Sequence, residues 1–198
     1  MEIQTKWFAR DKRKFKKARR LLSPCISERG GVWADFGCGE GIFTAILFEL
    51  IGPECEIHAV DKSQRALSRL KDNFRETFPS AALHVHHADF TSPLPLPTLD
   101  GCTLANALHF IRDEHKWHVL EQLAKNIKSD GKIIVIEYNT NRGNYAVPFP
   151  LPEDEFINLA RKLDLRNPRI VTRVPSSFLG EMYAGSANVP ISKHSSTG

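Results

Sequence analysis

Gly31-Val32-Trp33-Ala34-Asp35-Phe36-Gly37-Cys38-Gly39-Glu40-Gly41-Ile42-Phe43-Thr44 is the stretch around which the chain is organised. An apolar run ends in Asp35, three glycines follow at alternate positions (Gly37, Gly39, Gly41), and a hydrophobic segment of helical length begins at Ile42. This is the layout of a strand, a tight turn and a helix. Glycines at this spacing accept positive φ and let the backbone approach a ligand closely, while a helix starting at Gly41 points free N–H groups into the turn. The stretch reads as a nucleotide-type cradle, and the rest of the chain has to say which nucleotide.

Downstream, the expected helix over about residues 42–51 is apolar on most sides and closes at Gly52-Pro53. A second strand, about residues 56–61, ends on Asp61, some twenty residues after the last turn glycine. At that offset a Rossmann-type carboxylate meets ribose hydroxyls. Ser63 caps a helix with Leu67, Leu70, Phe74 and Phe78 along one side. A third strand, residues 82–87, runs into Asp89-Phe90, and a loop with Pro93, Pro95 and Pro97 leads to a fourth strand over about 101–106. Trp117, Leu120, Ala124 and Ile127 mark the next helix, closed near Gly131. In the fifth strand, residues 132–138, Ile133 to Ile136 form the continuous apolar run of a strand covered on both faces.

Alternating strands and helices through residue 138 argue for a parallel sheet with helices on both faces. Residues 139–151 form a long polar and aromatic connection, of the kind that is more often functional than decorative. Pro152 and the acids after it open a last helix. Residues 169–174 and 181–187 then read as two strands whose link is too short for a crossover helix, so they pair antiparallel. Residues 188–198 read as a loose tail, and residues 1–187 as one domain with a cap helix over 1–24 and a core over 30–187.

Upstream, residues 1–20 carry nine Lys/Arg against Glu2 and Asp11, a local balance of +7; set against the chain's +4, this leaves −3 elsewhere. Phe8, Phe15, Ala18 and Leu22 share one face of an amphipathic helix that stops near Ser23-Pro24. Such a segment is either a solvated face or a surface for an anionic partner. The 41% hydrophobic and 25% charged residues are ordinary for a soluble protein. No apolar run reaches the ~20 residues of a bilayer span and no signal sequence is visible, so the expected location is the cytoplasm. Four scattered cysteines indicate neither a disulfide framework nor a zinc site, and His84, His86 and His87 read as surface or half-buried residues, not ligands.

With these positions in place, residues 30–187 resemble the class I S-adenosylmethionine-dependent methyltransferases. Gly37-x-Gly39-x-Gly41 after an acid is similar to that family's turn, whereas a dinucleotide fingerprint wants its third glycine where Ile42 stands. Asp61, Asp89 or Asn106 alone reads as a strand-end turn residue; their joint placement, with the closing hairpin, carries the resemblance. It implies an α/β fold: a Rossmann-like, doubly wound, mostly parallel seven-stranded sheet with a C-terminal antiparallel hairpin in a three-layer α/β/α sandwich.

The resemblance also implies S-adenosyl-L-methionine as cofactor, S-adenosyl-L-homocysteine as product, and no metal. The backbone around Gly37 (Phe36, Cys38, Gly39, Gly41) would lie against the methionine part and ribose, with Asp35 near the methionine amino group. Asp61 would accept from the ribose hydroxyls, and Asp89 and Phe90 would meet adenine. Ala105 and Asn106 would line the sulfonium side. Lys62 departs from the apolar residue usual in the family, although its stem can cover the ring.

Methyl transfer from a sulfonium needs chiefly alignment, which can supply ~7 to 11 kcal/mol without an acid or base. Where a base is needed, His109, just after the fourth strand, is the candidate. The acceptor read here is a small molecule, with an anionic one suited to the basic segment. Trp7, Phe8 and Tyr145 are its expected aromatic walls. A nucleic-acid acceptor bound by the basic helix ranks second, and a cofactor-binding protein without transfer activity is the alternative of another class. The oligomeric state stays open.

Overall fold

The computed structural model describes residues 6–191. Seven strands, β1 (Gly31–Phe36), β2 (Cys55–Asp61), β3 (Ala82–His87), β4 (Leu99–Ala105), β5 (Ile127–Tyr138), β6 (Arg166–Ser176) and β7 (Gly180–Asn188), form one sheet in the order β3-β2-β1-β4-β5-β7-β6. The first five run parallel, and β7 pairs antiparallel with both β5 and β6. This is the Rossmann-like sheet with a closing hairpin that the sequence predicts.

Side chains alternate between the faces of a strand, so the β5 run feeds two cores at once. Ile134 and Ile136 join Trp33 and Ile57 under the helices α1 (Lys6–Arg10), α2 (Lys12–Leu22), α3 (Ile42–Ile51) and α4 (Gln64–Thr77). Ile133 and Val135 join Phe36 and Leu104 under α5 (Asp113–Ala124) and α6 (Glu153–Lys162). The chain order reverses at β1, whose neighbours are β2 on one side and β4 on the other. A crevice opens beyond the carboxyl ends of strands at such a point. Between β3 and β4 no helix forms: the three prolines there lack donors, and Leu94 and Leu96 of this connection cover part of the second face instead.

Four expectations change. The basic helix is broken at Asp11, which takes a non-helical ψ of 25° and binds the side chains of Arg10 and Lys14. Ile127 belongs to β5 rather than to the preceding helix: it pairs with Leu99, and Asp130, at φ 61°, turns the strand back over it. On α5 the buried position next to Trp117 is taken by Lys116, whose ammonium reaches the carbonyls of Phe149 and Pro150 and ties the 139–151 connection down. Of the expected tail, Asn188 closes β7 and Val189 is held by backbone bonds with Asp130 and Gly131; residues 192–198 lie outside the described residues.

Candidate functional site

The turn after β1 is built as its glycines require. Gly37, Gly39 and Gly41 all have positive φ (73°, 54° and 86°). A Cβ on Gly37 would stand 2.7 Å from that of Ala107, and one on Gly41 would strike Leu70, whereas a Cβ on Gly39 would meet nothing within 4 Å. Two glycines therefore serve close packing and the third faces open space. The amides of Gly37 and Cys38 donate to Val60, stitching the turn to the end of β2.

Beside this turn, in the crevice at the strand-order reversal, lies a cleft of about 580 Å³. Gly37, Asp61, Lys62, Asp89, Phe90 and Asn106 are among its lining residues, so the ends of β1, β2, β3 and β4 converge on one space. Asp61 accepts from the Gly39 amide (2.8 Å) and the Ser63 amide (2.7 Å), one on each oxygen. A carboxylate has about four acceptor sites, which leaves room for two hydroxyls. Asp89 is held at one oxygen by the amide and hydroxyl of Thr91, and these bonds keep its carboxyl below the usual range. The Phe90 ring packs 6.2 Å from that of Phe36.

Asn106 has φ 53°, donates its amide to Ile136, and leaves Oδ1 buried without a partner. An orphaned buried acceptor costs on the order of 1–3 kcal/mol. Together with open space at Gly39 and the free acceptor capacity of Asp61, it makes the cleft fit a ligand that brings hydroxyls, an amino group and a positive centre. S-Adenosylmethionine is such a ligand.

Asp35 lies elsewhere than expected. It is 1% exposed beneath the turn, with its oxygens taken by the hydroxyls of Thr44 (2.6 Å) and Thr103 (2.7 Å), and it does not line the cleft. Cys38 is buried too, and burial pushes its thiol well up, away from nucleophilic use. Burial also raises Asp35 to about 6, against the pull of the two threonines. A raised folded pKa gives stability that is complete below the unfolded value and lost as pH climbs through the folded one. Ionised Asp35 thus weakens the fold by on the order of 3 kcal/mol at neutral pH relative to acid. Asparagine can accept from one threonine and donate to the other. We expect Asp35→Asn to raise stability at about pH 7.5 and to flatten its decline between about pH 4 and pH 6.5, measured by urea unfolding across that range.

The expected aromatic walls do not line the cleft. Trp7 is buried against Phe15 and Phe74, Phe8 stacks on Phe15 at 4.0 Å, and Tyr145 stands 95% exposed at the tip of its connection. The N-terminal rings are used up by the core under α2, which a sequence reading of the basic helix alone does not reveal.

His109 sits in a short 3₁₀ turn after β4, at Leu108–Phe110. Its Nδ1 is 2.6 Å from Oε2 of Glu137, a fully buried carboxylate at the end of β5. The other oxygen of Glu137 accepts the amides of Leu108 (2.9 Å) and His109 (3.3 Å). This fixes the proton on Nδ1 and leaves Nε2 as the basic atom, which bonds to no described residue. The ring is only 3% exposed and does not itself line the cleft, but its neighbour Phe110 does. Phe110 (4.4 Å), His109, Tyr138 (6.3 Å) and Phe178 (5.6 Å beyond Tyr138) form a continuous row of rings, with Phe110 and Phe178 more than half and half exposed. Glu137, Tyr138, Phe110 and Phe178 were not among the sequence candidates. The charge closing the isoleucine run was a readable signal for Glu137; nothing in spacing points to Phe178.

No helix among the described residues is long and apolar enough to cross a membrane. Away from the cleft, Glu56 and His58 of β2 and His84 of β3 bring potential metal-ligating atoms within 4.8 Å of one another, a grouping the reading of β3 alone missed.

Residues 34–131 match a family model described as a methyltransferase domain. Over 110 residues the chain is 26% identical to demethylmenaquinone methyltransferase of Geobacillus sp. (strain WCH70); this covers 56% of the chain and 46% of that protein, so the chain spans about half the length of the curated relative it matches. Among solved structures it is similar to Burkholderia thailandensis 1,6-didemethyltoxoflavin-N1-methyltransferase with bound 1,6-didemethyltoxoflavin and S-adenosylhomocysteine: TM-score 0.72, 18% identity, 92% of this chain and 82% of that one. A SAM-dependent methyltransferase from Aquifex aeolicus aligns with TM-score 0.66 and 17% identity over 89% and 97% of the two chains.

Proposed function

The chain belongs to the class I S-adenosylmethionine-dependent methyltransferases, and we propose that it moves the methyl group to a nucleophilic O, N or C atom of a small, ring-bearing acceptor by in-line displacement. The row of rings from Phe110 to Phe178, continuous with the cleft through Phe110, carries this reading. The exposed rings of Phe110 and Phe178 at its ends bind a flat ring by stacking and edge contacts. That a structural neighbour holds a small molecule, 1,6-didemethyltoxoflavin, beside S-adenosylhomocysteine supports it.

The cofactor, when bound, supplies a methyl group made electrophilic by its sulfonium charge. In this reading Asp61 would accept from the ribose hydroxyls, Asp89 and Phe90 would hold the adenine end, and the side-chain oxygen of Asn106 would serve the positive centre. Phe110, Tyr138 and Phe178 orient the acceptor and exclude water. His109 Nε2 takes the proton from the acceptor, and Glu137 stabilises the resulting imidazolium. Alignment supplies most of the rate, with the base adding to it for acceptors that must lose a proton.

The test is incubation with methyl-labelled donor and cell extract, separated into metabolite, RNA and protein fractions. Label is expected in the metabolite fraction, and Phe178→Ala is expected to raise the acceptor KM about tenfold with donor affinity unchanged. Label confined to RNA would transfer the reading to the exposed basic side of α2, where Lys12, Arg13, Lys16 and Arg20 lie. Donor binding with no labelled product would leave a binding protein.

A further inference from the structure

The parallel register places His58 of β2 opposite His84 of β3 and Val60 opposite His86. Side chains at alternate positions share a face, so Glu56, His58, His84 and His86 stand together on the sheet face that carries Val60. A helix between β3 and β4 would cover this corner, but the proline-bearing connection forms none, and the corner stays open to solvent. Glu56 and His84 side chains are 39% and 50% exposed, and His58 only 7%.

The polar atoms converge tightly. Oε1 of Glu56 lies 2.9 Å from Nε2 of His58 and 3.2 Å from Nε2 of His84. Nδ1 of His58 lies 2.9 Å from Nε2 of His86. The His58 ring stacks on both neighbours, 4.8 Å from His84 and 5.2 Å from His86. For zinc with ligands at about 2.0–2.1 Å, adjacent donors of a tetrahedron are separated by roughly 3.3 Å. The two Glu56 contacts are close to that edge length.

We propose that Glu56, His58 and His84 form a binding site for a divalent transition metal of the zinc class, separate from the cofactor cleft. Nε2 of each histidine and one carboxylate oxygen are the protein ligands, and the fourth position is open to water. His86 is a positioning residue: by accepting a hydrogen bond from Nδ1–H of His58 it fixes the tautomer whose Nε2 lone pair faces the metal. Mixed nitrogen and carboxylate donors suit zinc rather than magnesium or calcium, which prefer oxygen alone. The metal would pin edge strand β3 to β2, and the carboxyl ends of these strands lead to Asp61 and Asp89. The site needs neither a methyl donor nor an acceptor, so its test is independent of the transfer reaction.

The experiment is titration of the metal-stripped full chain with Zn2+ by calorimetry, and with Co2+ followed by its visible absorption. One equivalent is expected to bind, with the intense visible bands of four-coordinate Co2+ and a rise of several degrees in the thermal midpoint. His84→Ala and the near-isosteric Glu56→Gln should each weaken Zn2+ binding at least tenfold. His86→Leu should weaken it about 10–100-fold through loss of the supporting hydrogen bond. His87→Ala, on the same strand but outside the cluster, should bind as the parent does. Equal Zn2+ affinity in the parent, His84→Ala and Glu56→Gln, or only weak six-coordinate Co2+ absorption, would overturn the proposal.

Discussion

Replacing Asp61 by alanine is expected to weaken S-adenosylmethionine binding on the order of 10²-fold or more, measured by calorimetry, with the fold retained. The carboxylate does two jobs from one position at the end of β2. It accepts the amides of Gly39 and Ser63, which sets the glycine turn against the start of α4. Its remaining lone pairs are the ones available to ribose hydroxyls. Hydrogen bonds to a charged group contribute about 1.5–3 kcal/mol each, so losing two predicts a change of this size. Asp61 is only partly buried, so water can reach the two amides it leaves behind, and the effect on stability should stay well below the effect on binding. A second readout follows from its charge: Asp61 helps hold Asp35 in its raised range, so the variant should lower the midpoint of Asp35's titration. Unchanged donor affinity would show that the turn, not the carboxylate, holds the ribose.

The parts of this site that the sequence made legible are those written in backbone chemistry. Gly37 and Gly41 had to be glycine, because a Cβ at either would occupy Ala107 or Leu70, and their spacing after Asp35 is enough to mark a strand–turn–helix. The polar residues at the strand ends were readable because β1 to β5 run parallel and bring their carboxyl ends to one edge, so Asp61, Asp89 and Asn106 converge whatever the side-chain detail. Asp35 shows the limit of that logic. A residue one step inside the strand is identical in sequence to one at its end, and only the pairing of β1 with β4 puts Thr103 beside it and seals it from the cleft.

The aromatic assignments failed for a related reason. Amphipathic periodicity locates Trp7 and Phe8 on the apolar side of a helix but is silent on whether that side meets a cavity or a core, and Phe74 of α4 supplied the core. Phe110, Tyr138 and Phe178 come from three separate connections and strands, 68 residues apart at the extremes (110 to 178), and are assembled only because β7 inserts between β5 and β6. The histidine cluster is non-local in the same sense. His84 and His86 have no ligand-like partners within their own strand, and the second half of the set arrives through the register with β2.

His109→Ala is expected to lower kcat by about 10²–10⁴-fold, the usual contribution of a positioned general base, with donor affinity unchanged. Glu137→Gln sharpens the test. Its oxygen can still accept the amides of Leu108 and His109, so the turn is kept, but its amide group then donates toward Nδ1 of His109. That reverses the tautomer: Nδ1 becomes the acceptor and Nε2 carries the proton. A histidine so arranged cannot accept from the acceptor, and Glu137→Gln should approach the alanine variant in kcat although the imidazole is intact. A packing role for His109 predicts the opposite ordering, with the alanine variant losing stability and Glu137→Gln turning over as the parent does. The residual rate of both variants reports alignment by the cleft and the aromatic row alone.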